Sequence, residues 1–298
     1  GASAEIETAG ANFNFVTKDG GNRFTGAARL FFANGDMQSN NLGETLRSRG
    51  VTSRQSVKKI YDYGAALGGP IKQDKVWFFA ATRKWGAENN QPNSFFNAVQ
   101  GTGRYQADPS RPGYYISDAV ETGGRITWQA SDKDKIGIFA NYANTCSCVQ
   151  GVSATLAPEA ALNNIIPNQL TQLTWTRVAT NKLLIETGYT NLWTSFRFPR
   201  EAGSADYTVS ATDIPTTELS TGFSFNARAS TSLPYTDGPE NFSDPAGQRN
   251  ARAAVSYVSG NHALKVGTTL AFGGLEVHGR IADVVEAEVQ DAPFRQRG

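Results

Sequence analysis

The chain has 298 residues, with 28 Lys and Arg against 27 Asp and Glu and a formal charge of +1. That balance gives no electrostatic ground for nucleic-acid binding or for an acidic tail. Hydrophobic residues are 39%, aromatic residues 11% and glycines number 30, a composition that excludes a helical bundle or coiled coil. Aromatic and β-branched residues recur throughout, which excludes disorder and leaves a β-rich class with polar connections.

The first residues, GASAEIETAG, carry neither a basic region nor an apolar run, and the only methionine is Met37. The chain is therefore expected to be an excised or incomplete segment. No apolar run approaches the ~18 residues a transmembrane helix needs. A transmembrane barrel stays open, because its signal is alternation and not continuous hydrophobicity.

In chain order, the apolar pattern has period two. Phe24, Gly26, Ala28, Leu30 and Phe32 share one face, with Arg23, Thr25 and Arg29 on the other. Tyr61, Tyr63, Ala65 and Leu67 repeat the pattern, followed by Ile126 and Trp128, then Ile136, Ile138, Ala140 and Tyr142. Val255 and Tyr257, then Leu264, Val266, Leu270 and Phe272, close the series. The second faces hold Arg, Asp, Gln, Asn and Gly, including Arg125 and Lys135. Such faces close a dry core poorly but line a wet lumen well, where those two cations could also guide an anionic ligand.

Connections alternate in length. Short ones lie at Pro70–Asp74, Ser131–Asp134, Ala179–Lys182 and Ser259–His262, and long ones at 35–56, 87–118, 146–167 and 199–248. An outer-membrane barrel has this rhythm, with tight periplasmic turns on one rim and long extracellular loops on the other. Phe31, Phe32, Trp77, Phe78, Phe79, Trp85, Trp128, Trp175, Trp193 and Phe196 fall toward strand ends, as an aromatic girdle requires. The fold class is all-β, an antiparallel meander of roughly nine strands of about 10–14 residues without substantial helix, too few to close a barrel alone.

Enzyme chemistry has no footing. No G-x-S-x-G elbow occurs, and His262 and His278 lie far from Cys146 and Cys148. The Cys-x-Cys pair leaves two free thiols and a redox-labile bridge equally open, and lacks the further ligands of a metal site. No catalytic residue, metal or cofactor is expected.

The stretch Phe15-Val16-Thr17-Lys18-Asp19-Gly20-Gly21-Asn22-Arg23-Phe24 resembles the plug–barrel junction of TonB-dependent outer-membrane receptors. Gly68-Gly69-Pro70-Ile71, Asp74-Lys75 and Trp77-Phe78-Phe79 resemble a hairpin of their Oar-like branch, and Tyr257–Gly267 is similar to a later hairpin. The resemblance implies a 22-stranded transmembrane barrel, incomplete here. Residues 1–21 would be the end of the plug domain, and 22–298 the N-terminal part of the barrel. It also implies a Gram-negative outer membrane, its lipid, and an inner-membrane TonB-type energy-coupling partner. The glycines of both motifs have a structural role too: Gly20, Gly21 and Asn22 are expected to supply the positive φ of a sharp turn.

The expected function is energy-coupled uptake of a scarce small molecule, oligosaccharide or peptide. The alternative is a secreted or surface β-sheet protein that binds carbohydrate or a partner protein without transport. Ligand contacts are expected in the long loops, at Tyr105, Tyr114 and Tyr115 of the second and Tyr207 and Tyr235 of the fourth. Each offers a large stiff ring and one hydroxyl at low ordering cost.

Overall fold

The computed structural model describes residues 17–49, 54–199, 209–210, 212–229, 246–260 and 262–274. Nine strands build one antiparallel sheet: β1 (Thr25–Asn34), β2 (Ser56–Lys72), β3 (Val76–Asn97), β4 (Ala107–Gln129), β5 (Asp134–Gln150), β6 (Leu162–Thr180), β7 (Leu183–Thr194), β10 (Ala246–Ser259) and β11 (His262–Gly274). Between β7 and β10 the chain makes a separate hairpin, β8 (Thr216–Glu218) with β9 (Phe223–Phe225). Helix is confined, among the described residues, to α1 (Glu44–Ser48) and two single 3-10 turns. Among the described residues the sheet is open, since β1 pairs only with β2 and β11 only with β10.

Register carries each face unbroken from strand to strand, because directly paired residues of antiparallel neighbours point the same way. One row reads Phe78, Ile126, Ile138, Leu173, Tyr189, Ala251 and Leu270. The adjacent row, on the other face, reads Phe79, Arg125, Phe139, Gln172, Thr190, Asn250 and Ala271. Leu30, Leu67, Ile126, Ile138, Leu173, Val266 and Leu270 of the apolar face are all exposed. A continuous exposed apolar face of this extent suits lipid and not water. The opposite face carries the polar side chains and the segment that precedes β1.

Several aromatics depart from the expected girdle. Trp77 and Phe79 share the lumen face with Thr127 and Arg125, and Phe31 and Trp85 share it with Asp62. A run such as Trp77-Phe78-Phe79 must split between faces, since successive residues of a strand point oppositely. On the lipid face, Trp128, Ile136 and Trp175 form one row at the tight-turn rim. There the Trp175 indole N–H donates to Asp134 at 3.1 Å, and Arg177 donates to the same carboxylate at 3.0 Å.

Strands β2 to β6 are also longer than the alternation predicts, at 17, 22, 23, 17 and 19 residues. The second and third long connections therefore shrink to 98–106 and 151–161. Above the lipid band nothing demands an apolar outer face, so these extensions lose the alternation that marks the strands below.

At the tight-turn rim, Asn22 pins the β2–β3 turn. Its Oδ1 accepts the Asp74 N–H at 3.0 Å and the Trp77 indole N–H at 2.7 Å, while its Nδ2 donates to Asp74 Oδ1 at 2.6 Å. The positive φ expected of Gly20, Gly21 and Asn22 is not found; in the neighbouring β2–β3 turn Asp74 has φ 57°. Gly20 is small for a different reason. A Cβ there would collide with the backbone carbonyl of Phe78.

Leu173→Lys is expected to destabilise the membrane-inserted fold by about 2 kcal/mol, whereas Gln172→Lys, one residue away on the lumen face, should cost less than about 1 kcal/mol. Denaturant unfolding from lipid bilayers measures both. Asn22→Ala should cost about 1 kcal/mol in the same assay by leaving the Asp74 and Trp77 donors unpaired. Asn22→Asp should not recover it, because a carboxylate would then face Asp74.

Candidate functional site

Two regions gather polar and aromatic side chains: a cap built at the long-connection rim, and the lumen wall near the tight turns. The cap begins where the strands outrun the lipid band. Register slips between Asn90 and Phe95, and between Ser147 and Gln150, accompany positive φ at Asn93 and Val149. Such bulges bend the strand tips. The bent tips enclose a hydrophobic cluster of Phe96, Tyr114, Ile116, Cys148, Val149, Val152 and Ala161. Cys146 and Cys148 form a disulfide along β5, and Cys148 is completely buried.

Three connections lock into one body over this cluster. From 151–161, Ala157 N–H donates to the Ser224 carbonyl at 2.9 Å, and Ser224 N–H returns a bond to Thr155 at 3.0 Å. From 98–106, the Gln100 amide donates to Asp213 at 2.9 Å and to the Asn226 carbonyl at 2.5 Å, while Gly101 N–H reaches Asn226 Oδ1 at 3.0 Å. Gly101 sits at φ 80°, where a side chain is disfavoured. The Tyr105 ring packs on Phe223 and Phe225 of the β8–β9 hairpin, with centroids 4.4 and 5.7 Å away.

Glu159 is the hidden anchor. It is 3% exposed, and its Oε1 accepts the Asn97 N–H at 2.5 Å. Its Oε2 is buried and accepts no hydrogen bond among the described residues. Burial pushes this carboxyl above the usual glutamate range, against the opposing pull of the Asn97 N–H and the Arg111 guanidinium. Arg111 donates to the Asn97 carbonyl at 3.0 Å and pairs with Asp108 at 2.7 Å. Ser110 and Arg111 hold Asp108 below the usual carboxylate range.

The tyrosines expected to contact ligand have distinct places. Tyr105 lines an open groove of about 540 Å³ with Val99, Thr102, Arg104 and Gln106, and its hydroxyl donates to the Phe95 carbonyl at 2.9 Å. Tyr114 is 4% exposed, packed on Phe96 with Lys58 Nζ 3.4 Å from its ring centre. Tyr115 is half-buried against the same cluster. Tyr207 and Tyr235 lie outside the described residues. The structure thus brings Tyr105 to Phe223 and Phe225, and seats Tyr114 and Tyr115 in the supporting core.

Sequence reasoning passed over Gln100, Glu159, Asn226 and the β8–β9 hairpin. The alternation Phe223-Ser224-Phe225 after Gly222 was a usable hairpin signal. The partners of Glu159 and Asn226 lie far away in sequence, and no local pattern announces them.

On the lumen wall, Arg125 and Lys135 face inward as the alternation predicts. Both meet the segment that precedes β1. Arg125 Nε lies 2.5 Å and Thr127 Oγ1 2.9 Å from Asp19 Oδ1, with Lys135 Nζ 3.6 Å from Asp19 Oδ2. Arg125 Nη1 also donates to Thr17 Oγ1 at 2.6 Å. Higher on the wall, Arg83 forms a two-pronged pair with Asp62 at 3.0 Å, and Arg29 joins at 3.4 Å.

The state of Glu159 sets a pH dependence for the cap. A carboxyl whose pKa is raised by folding binds its proton more tightly folded than unfolded. Its contribution is therefore most favourable below the ordinary glutamate pKa and declines as pH rises toward the raised value. Glu159→Gln keeps an acceptor for Asn97 and cannot ionise. It should flatten that segment of the pH dependence of the thermal midpoint and raise the midpoint near neutrality.

The sequence pattern of the outer membrane beta barrel domain family matches residues 16–110 and 115–272. A stretch of 73 residues is 36% identical to the TonB-dependent transporter Oar of Myxococcus xanthus. It covers 24% of this chain and 7% of that protein. No solved structure gives a significant match. With the apolar outer face, the polar inner face and the alternation of connection lengths, the match over most of its length shows that the chain belongs to the outer membrane β-barrel domain family, and its place is the outer membrane.

Proposed function

We propose that the chain is the first part of the barrel, with the last residues of an inner plug, of an energy-coupled uptake receptor of the TonB-dependent, Oar-like type. The observation that carries this reading is the seating of Thr17 and Asp19 against Arg125, Thr127 and Lys135 on the lumen wall. An inner segment tied to the wall by ionic contacts suits a plugged receptor and would obstruct an open pore. Asn22 joins that segment to the first periplasmic turn, so plug and barrel meet at a fixed point.

The extracellular cap is the recognition surface of this reading, and its ligand is a scarce small molecule, oligosaccharide or peptide. Tyr105 beside Arg104 offers the groove an aromatic face and a cation. Tyr207 and Tyr235 share the connection that holds the β8–β9 hairpin and are the further candidates, while Tyr114 and Tyr115 stiffen the cap beneath. The apolar outer face meets outer-membrane lipid, and an inner-membrane TonB-type protein supplies the energy.

Planar-bilayer conductance in potassium chloride tests the plugged-receptor reading on the full-length protein. The intact receptor should be silent, and deletion of its plug up to Gly21 should open a large steady conductance. An intact protein that already conducts as an open pore would refute uptake through a gated plug.

A further inference from the structure

We propose that Arg125, Thr127 and Lys135 form a carboxylate-binding site of the lumen wall. It is filled at rest by the chain's own Asp19 and handed to a carboxylate of the ligand when the inner segment moves. The handover rests on the uptake reading; the site itself does not.

Four features point to a built anion site and not to an incidental ion pair. The donors converge on one carboxylate from different directions: Arg125 Nε and Thr127 Oγ1 on Oδ1, and Lys135 Nζ on Oδ2. Two of them are rigidly held. The Arg125 side chain is 17% exposed, and Thr127 is 1% exposed. The wall is shaped for the guanidinium, because a Cβ on Gly137 would lie 2.8 Å from Arg125 Nη2 and 2.7 Å from Thr174 Oγ1. Gly137 pairs directly with Thr127, so the missing side chain leaves a flat bed where Arg125 lies.

The fourth feature is the origin of the partner charge. Arg29 and Arg83 share the carboxylate of Asp62, and Lys265 pairs with Glu186, all residues of the sheet itself. Those pairs persist whatever the inner segment does. Arg125 and Lys135 take their carboxylate from a residue outside the sheet, before β1. Displacement of Asp19 would leave Arg125 and Lys135 without their carboxylate, and the Arg125 guanidinium is largely buried, where an unpaired ion is costly and a new anion is bound strongly. A carboxylate is the chemistry the donors already accommodate. The site lies near the periplasmic end of the lumen, so it would serve a ligand late in its passage, after release from the cap.

The test is calorimetric titration of the full-length protein in detergent with citrate as the probe. Wild-type protein should show little binding, because Asp19 occupies the site. Asp19→Asn removes the resident charge and should create one citrate site, weakened by raised salt. Adding Arg125→Gln to that variant should weaken citrate by about tenfold or more, the worth of a charge-assisted bond. Asp19→Ser is the second variant should the asparagine disturb folding, and the same pattern is expected of it. A flat titration in folded Asp19 variants, or citrate binding that ignores Arg125→Gln, would overturn the site. The conductance assay separates the two readings: a silent intact receptor without a citrate site refutes the site alone. A conducting intact protein whose Asp19 variants bind citrate keeps the site and refutes gated uptake.

Discussion

A strand crossing lipid has no water to satisfy its backbone, so every N–H and C=O must find a partner in a neighbouring strand. That requirement forces a continuous antiparallel ladder, and the ladder in turn imposes a period of two on the side chains. The two faces of the sheet follow from it. One face must be apolar from β1 to β11, and the other is released from that demand and takes Arg, Asp, Gln and Gly. Register is strongly fixed because a slip of one residue would turn Arg125 and Asp62 toward lipid.

Where the lipid ends, so does the constraint, and the strands continue on different terms. Between Asn90 and Phe95, and again after Ser147, the ladder slips and bends, and the cluster around Phe96, Tyr114 and Cys148 takes over as the organising element. This is a small buried hydrophobic core, and three connections are hydrogen-bonded to one another over it. Polar groups hold its edges: Gln100 to Asp213 and Asn226, and Glu159 to Asn97. Tyr105 belongs to both cap and groove, since it packs on Phe223 of the β8–β9 hairpin and also lines the groove.

Charges in the lumen divide by the origin of the carboxylate that pairs with them. Asp62 with Arg29 and Arg83 is internal to the barrel wall and braces it. Asp19 with Arg125 and Lys135 joins the wall to a segment that reaches it from the rim. Both look alike in composition, as a cation on the second face of a strand. Their difference lies in covalent geometry, because only the second can be parted without unfolding the sheet.

The sequence by itself determined the period-two faces, the short and long connections and the barrel family, because all of these are local or arise from a repeated local rule. It also marked Arg125 and Lys135 as inward-facing, since parity alone assigns a side in a strand. It misplaced Trp77 and Phe79 of the run Trp77-Phe78-Phe79 by treating an aromatic run as a belt, and it ended β3 and β5 too early because alternation stops where lipid stops. The choice among the five tyrosines was beyond it. Tyr105 and Tyr114 have similar polar, aromatic neighbourhoods in the chain, and only the tertiary structure buries Tyr114 under Phe96 and turns Tyr105 to a groove. The carboxylate of Asp19 meets Arg125 across 106 positions of sequence, a contact between the inner face of the sheet and the segment before β1. No spacing rule encodes such a meeting, because it joins the segment before β1 to a strand three places along the sheet.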